Sequence, residues 1–355
     1  MRITKLDGLR GLFSLMVVFF HLRAFTMPDW LYNSFIIRES WSFVDFFFVL
    51  SGFVISYNYS NLTSYKDFWS YMKKRFIRLY PLLIYSVTVY FIFDLIFNFI
   101  FPEFVENVDS FSELLIRYFD SILFMNSTPI LGNTGGINGP SWSISAEMIS
   151  YFVFGLVSIL AIKSKQNLIL LAIIIIGFAI LVHNKYFGIF LDFRFVRGLV
   201  AFNLGYFVWF LSKYKFNLHN VWEYIGFIGL GVLFFIVNSY TGVQKSIIAI
   251  LAYPIYFSLF ILIFIQTSGK LSKLMDSNIF TFLGKISYSV YLNHFILILL
   301  IPTAAFKLVK IEMTALNQLM VLLVTLSITL FYSQLTYTFI ELKGGKWLKN
   351  KFFKQ

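Results

Sequence analysis

Ten stretches of mostly apolar residues, each 16 to 25 residues long, divide this chain and leave it few ways to fold. A helix needs about 20 such residues to cross a hydrocarbon core. Spans are therefore predicted near 9–26, 43–60, 77–101, 143–162, 167–182, 196–212, 222–238, 247–266, 280–302 and 316–340. Only 13% of the 355 residues are charged and 59% are hydrophobic, whereas soluble domains carry about 25% charge. Forty-six Phe and 21 Tyr add bulk that a hydrated surface could not hide. A soluble enzyme, a disordered chain and a disulfide-stapled secreted module are excluded. The expectation is an all-α integral membrane protein of about ten transmembrane helices, with both termini on one side.

The net charge of +12 would suit a nucleic-acid partner, but its distribution points to a bilayer instead. Of the 29 lysines and arginines, nineteen fall in segments on the side of the termini, among them Arg2, Lys163 and Lys354. Nine, including Lys185, Arg194 and Arg197, fall on the other side, and Arg10 lies within the first span. Basic residues accumulate on cytoplasmic segments, so both termini are expected in the cytoplasm, and no nucleic acid is expected. Arg10 and His21 inside the first apolar run make it a poor signal-peptide core. The longest connection, 102–142, falls outside; it opens acidic at Glu103, Glu106, Asp109 and Glu113, and Glu113 to Asn126 reads as an amphipathic helix. Ser110 and Glu113 have the spacing of a capping box. Without repeats or linkers, residues 1–355 read as one transmembrane domain ending in a short basic cytoplasmic tail, 341–355.

Ionisable groups within spans are expensive and mark function by default. Arg10 and His21 are eleven residues apart, which is ~16 Å along a helix and only ~20° from three full turns. Both lie on one face, able to address a ligand threading the bilayer; the alternative is a histidine bonded to a neighbouring helix and a snorkelling arginine. Asp45 opens the second span and could orient His21 or pair with Arg10, while Ser51-Gly52 would allow close helix packing. Lys74, Arg75, Arg78 and Tyr80 sit at the cytoplasmic end of the third span. Arg75 and Arg78 share a helix face, and paired guanidiniums suit either phosphate recognition or simple anchoring. The fourth span begins Pro140-Ser141-Trp142 and places Glu147 and Tyr151 four residues apart. His294 lies ten residues into the ninth span. Four scattered histidines and no cysteine predict no metal site.

Taken together, these blocks resemble the bacterial membrane-bound acyltransferase-3 family. Leu6 to Gly11 with His21 resembles its opening, Asp45 with Phe47, Phe48 and Leu50 to Phe53 its second block, and Arg75, Arg78, Tyr80 and Pro81 its third. Trp142 to Tyr151 and Ile286 to His294 resemble two further blocks, all in the family's order over nearly the whole chain. The resemblance implies a ten-helix transferase of the bacterial cytoplasmic (inner) membrane. It would take an acyl group, usually acetyl, from cytoplasmic acyl-CoA and pass it to a hydroxyl of an envelope glycan such as an O-antigen or capsule sugar. It also implies roles: His21 is similar to the family's essential histidine and Arg10 to its companion, and Arg75 and Arg78 match arginines on the CoA phosphates. Beside these, Asp45 and Glu147 are candidate catalytic residues, Lys74 and Tyr80 candidates for the donor, and Ser141, Trp142, Tyr151 and His294 candidates for the acceptor. Two departures stand out. The family often continues Glu-x-Pro after its last span, whereas Glu341 is followed here by Leu342-Lys343-Gly344, and no hydrolase-like domain follows. The membrane domain is thus expected to complete the transfer alone.

A sugar hydroxyl is a weak nucleophile at neutral pH, and a positioned base is worth ~10²–10⁴-fold. His21 is the candidate, with Asp45 or Glu147 available to fix its tautomer. The absence of cysteine favours direct transfer, with an acyl-histidine or acyl-serine left open. The rival reading is a polytopic transporter of a glycan or proton-coupled solute. Interrupted spans in matching positions of two halves would mark it, and none pair in this sequence.

Overall fold

A computed structural model describes residues 3–59, 62–102, 108–131, 135–161, 165–184 and 193–353. Arg2, Glu103, Glu106, Lys163, Lys185 and Lys354, named above, lie outside the described residues. Among those described, every regular element is helical. The first span is α1 (Thr4–His21) and the second α2 (Phe43–Tyr59), with short helical turns between them. The chain continues through α3 (Tyr65–Phe99), α4 (Phe111–Ile122), α5 (Trp142–Leu160), α6 (Gln166–His183) and α7 (Arg194–Leu211). Then follow α8 (Val221–Ser239), α9 (Gly242–Gln266), the short α10 (Lys270–Met275), α11 (Asn278–Thr303), α12 (Ala315–Thr336) and, after a π-helical segment Tyr337–Leu342, α13 (Lys343–Phe353).

Each predicted span overlaps one of these helices, although the first, predicted at 9–26, ends at His21. Eight are long and apolar enough to cross a membrane. The helices α1 and α7 are each 18 residues, but α1 carries Lys5, Asp7 and Arg10 and α7 opens with Arg194 and Arg197. The third span begins earlier than hydropathy alone predicts. Ser64 caps α3 by accepting from the Asp67 N–H at 3.1 Å, and the helix then runs 35 residues. At ~1.5 Å per residue that is ~53 Å, well over the ~30 Å core. Lys74 and Arg75 therefore ride a helical overhang rather than a loop–helix junction. The basic tail is likewise helical, as α13. In the long connection the capping box forms: Glu113 N–H donates to Ser110 Oγ at 3.3 Å, and Ser110 N–H to Glu113 Oε2 at 2.7 Å. The Ser110 hydroxyl, followed by its N–H, holds the Glu113 carboxyl below its ordinary value. The helix stops four residues before Asn126, because Phe124 turns left-handed at φ 58°.

The residues gather into two compact units, each drawn from separate stretches of sequence: Met1–Ser60, Ile174–Phe187 and Val200–Gln334 in one, Asn61–Ile173, Gly188–Leu199 and Leu335–Gln355 in the other. In the first unit α1 lies along α11, running parallel to it. Lipid gives helices no hydrophobic reason to associate, so close packing of small residues and rings must do so. Phe13 stacks on Phe43 with centroids 4.1 Å apart and meets Phe46 edge-on at 4.7 Å. Backbones touch at glycines: a Cβ on Gly11 would lie 2.5 Å from the Gly284 nitrogen, and one on Gly284 2.2 Å from the Asp7 carbonyl oxygen. Two buried carboxylates are satisfied structurally. Glu39 pairs with Lys245 and accepts from Tyr253, and Glu223 accepts the Gly269, Leu271 and Ser272 N–H groups that open α10.

The close approach expected at Ser51-Gly52 is present, since a Cβ on Gly52 would sit 1.9 Å from the Phe202 carbonyl oxygen. No rotamer change relieves a clash with backbone. Gly52→Ala is expected to destabilise the protein by at least the ~1–3 kcal/mol of an overpacked core. Gly231→Ala, where nothing lies within 4 Å, should be neutral or slightly stabilising through helix propensity. Thermal midpoints of the two purified variants check this; equal midpoints would refute the packing argument.

Candidate active site

In the first unit, Arg10 faces α11 one helical stretch below His21. Its Nε donates to Ser287 Oγ at 2.9 Å and its Nη2 to the Gly284 carbonyl at 2.6 Å, with Asp7 3.4 Å away. The guanidinium thus ties the two parallel helices together at one level. At the next level His21 meets His294: His21 Nδ1 lies 3.2 Å from His294 Nε2 and 2.9 Å from the Val17 carbonyl oxygen. His294 Nδ1 lies 2.8 Å from the Tyr291 carbonyl and 3.2 Å from that of Val290. The His21 ring is held edge-on by Phe20 and Phe295, with centroids 5.0 and 5.5 Å away. His21 is partly exposed, whereas His294 is 0% exposed. Asp45 is also fully buried, at the start of α2.

Within the first unit, the polar partners of His21 are therefore a backbone carbonyl and a second histidine, not Asp45, one of the two carboxylates the sequence suggests. His294, grouped above with the acceptor residues, stands behind His21 rather than at an exposed surface. Ser287 was not singled out from the sequence. It sits seven residues before His294, ~20° short of two turns, and that shared face was a legible signal.

The second unit holds the remaining candidates. Arg78 forms an ion pair with Glu341, whose side chain is 4% exposed against 39% for the arginine. The π-helical segment thus delivers a carboxylate to Arg78, at the position where the chain departs from the family's Glu-x-Pro. Lys74 is exposed on α3, and Arg75 is half-buried. Tyr80 stacks on Phe76 with centroids 4.3 Å apart. Gly344 comes close enough that a Cβ would lie 2.9 Å from Pro81 Cβ, seating α13 against α3.

At the head of α5, Ser141 is buried: its hydroxyl donates to the Asn138 carbonyl at 2.6 Å and accepts from Asn126 Nδ2 at 2.7 Å. Two guanidiniums lie over the Trp142 ring, that of Arg194 5.3 Å and that of Arg197 5.5 Å from its centroid. In the sequence those arginines stand out only as charges. Glu147 and Tyr151 meet as their spacing predicts, the phenol donating to the carboxylate, while Tyr71 donates to the Tyr151 carbonyl at 3.2 Å. Among the described residues no group of three or more His, Cys, Asp or Glu could hold a metal ion.

This chain belongs to the acyltransferase-3 family, described as an acyltransferase domain, which it matches over residues 3–337. The match runs through all of the helices just described as far as the π-helical segment. Among curated relatives, the O-acetyltransferase OatA of Staphylococcus aureus (strain NCTC 8325 / PS 47) is 27% identical over 83% of this chain and 50% of its own length. A second protein, from Staphylococcus aureus (strain COL) and provisionally named an O-acetyltransferase, is 26% identical over 96% of this chain and 56% of its own. The chain thus spans about half the length of the relatives it matches. No solved structure matches it.

Proposed function

We propose that this protein is a multi-pass membrane O-acyltransferase. It moves an acetyl group from acetyl-CoA to a hydroxyl of a cell-envelope glycan at the bacterial cytoplasmic membrane. The observation that carries the reading is His21, partly exposed, ring-locked and on the Arg10 face, at the position of the family's opening motif. In the reaction His21 takes the proton of the acceptor hydroxyl as the oxygen attacks the thioester carbonyl. The tetrahedral carbon then expels the CoA sulfur, which receives the proton from the His21 imidazolium. Arg10 positions the helix pair through Ser287 and Gly284. Arg75 and Arg78, with Lys74, are assigned to the CoA phosphates, because guanidiniums grip phosphate bidentately. Tyr80 is assigned to the same donor site. Trp142, Glu147 and Tyr151 are assigned to the acceptor, since a Trp face and a carboxylate suit a sugar. Ser141, with its hydroxyl engaged internally, supports that site by fixing the head of α5.

The excess of basic residues on the side of the termini supports a cytoplasmic position for Arg75 and Arg78, where acyl-CoA is made, and helix geometry supports His21 lying ~16 Å outward of Arg10. Donor is therefore expected to enter from the cytoplasm while the acetyl group is delivered toward the other face. The test uses sealed vesicles of known orientation, with labelled acetyl-CoA on the cytoplasmic side and an envelope polysaccharide on the other. Labelled polysaccharide and free CoA are expected. Transfer only when both substrates share the cytoplasmic side would overturn delivery across the bilayer. No CoA release under any arrangement would overturn the transferase itself.

A further inference from the structure

We propose that His294 is a positioning residue for His21, the two imidazoles forming a dyad that does the work usually given to a histidine and a carboxylate. The proposal rests on the transferase reading and assigns a proton to each nitrogen in it. A carbonyl oxygen only accepts hydrogen bonds. His294 Nδ1, 2.8 Å from the Tyr291 carbonyl and 3.2 Å from that of Val290, must therefore carry a hydrogen. His294 is fully buried, and a buried imidazole without a carboxylate partner is held neutral. Its Nε2 is then a bare lone pair, pointing at His21 Nδ1 from 3.2 Å. His21 Nδ1 also faces a carbonyl, that of Val17 at 2.9 Å. One hydrogen on His21 Nδ1 satisfies both neighbours, and no other placement does. His21 Nε2 is left with its lone pair.

When His21 takes a proton from the acceptor at Nε2, its Nδ1–H becomes the donor of a charged imidazolium. The bond to the His294 lone pair is then charge-assisted and stronger than in the resting state. Stabilisation that grows toward the transition state raises kcat rather than tightening substrate binding. His294 itself neither loses nor gains a proton, so the proton balance of the transfer is unchanged.

Two measurements test the dyad. In ¹⁵N-imidazole-labelled protein in bilayers, both His21 and His294 are expected as the Nδ1–H tautomer. Finding His21 as Nε2–H would overturn the proposal without any activity measurement. In turnover with acetyl-CoA and envelope polysaccharide, His294→Leu removes the acceptor and is expected to lower kcat about ten- to hundredfold, the worth of one charge-assisted bond. KM for acetyl-CoA should stay within about twofold, because the lost interaction belongs to the transition state. His294→Gln, which can again present an oxygen to His21 Nδ1, should restore most of the loss. Full activity in His294→Leu together with an inactive His21→Ala would overturn the dyad and leave the transferase intact. Should His294→Leu fail to fold, the tautomer measurement and the Gln variant still decide.

Discussion

Replacing His21 by alanine is expected to lower acetyl transfer by ~10²–10⁴-fold, the usual contribution of a positioned general base. The expectation follows from a ring whose orientation is over-determined: the Val17 carbonyl and His294 hold one edge, and Phe20 and Phe295 make T-shaped contacts with it. The same packing could belong to a merely structural histidine, and the two cases separate cleanly. A structural histidine removed from this cage would lower the yield of folded protein and its thermal midpoint in step with activity. A base removed from it leaves the helices standing, with at most the ~1–3 kcal/mol cost of leaving His294 Nε2 without its donor. Free CoA formed per mole of purified, folded variant is the decisive measurement. Full turnover by His21→Ala would take this histidine out of the chemistry.

Arg78→Ala should have the largest effect of any single change in the second unit, and on two properties at once. Glu341 is buried beside it, and a carboxylate deprived of its guanidinium is worse off than one never buried. Because Arg78 is itself 39% exposed at its side chain, solvent screens the pair, and the destabilisation is expected near the ~1 kcal/mol of a partly exposed ion pair. It should also weaken CoA binding about ten- to hundredfold if the guanidinium grips phosphate. Adding Glu341→Gln separates the two: stability should recover, CoA affinity should not. Arg75→Ala should weaken CoA comparably, and Lys73→Ala, outside the motif, far less. Calorimetric titration with CoA and thermal midpoints of the four proteins decide it. Equal losses of affinity in all would reduce the arginines to a generic basic surface.

The contrast between the histidine and the arginine shows what could be read from sequence and what could not. Periodicity along one helix sufficed to set Arg10 and His21 on a single face, to pair Glu147 with Tyr151, and to form the capping box at Ser110 and Glu113. Small-residue spacing sufficed for the contact at Gly52. The first three depend on residues within a few turns of one another, whereas the small residue at Gly52 foretold a close approach but not its partner, Phe202. The partners that lie hundreds of positions away, Ser287 and His294 for α1 and Glu341 for Arg78, depend on which helix faces which. Hydropathy carries no such information, because a lipid-facing stripe and a packed stripe are both apolar. It was also blind to the overhang of α3, whose first turns are polar yet helical, and to the helical continuation of the tail.

The contact between α1 and α11 is made through backbone, at Gly11 and Gly284, and a backbone contact is a gauge without fine adjustment. Side chains can be exchanged for slightly larger or smaller ones, but a helix can slip along its neighbour only in whole residues, each step shifting it ~1.5 Å and turning it ~100°. A single step would carry His294 off the His21 level and Ser287 off the Arg10 level together. On the proposed assignment, acceptor preference is therefore better altered at Trp142, Glu147 and Tyr151 of α5 than in this helix pair. A library built to change what the protein acylates should diversify those and leave the two glycines alone.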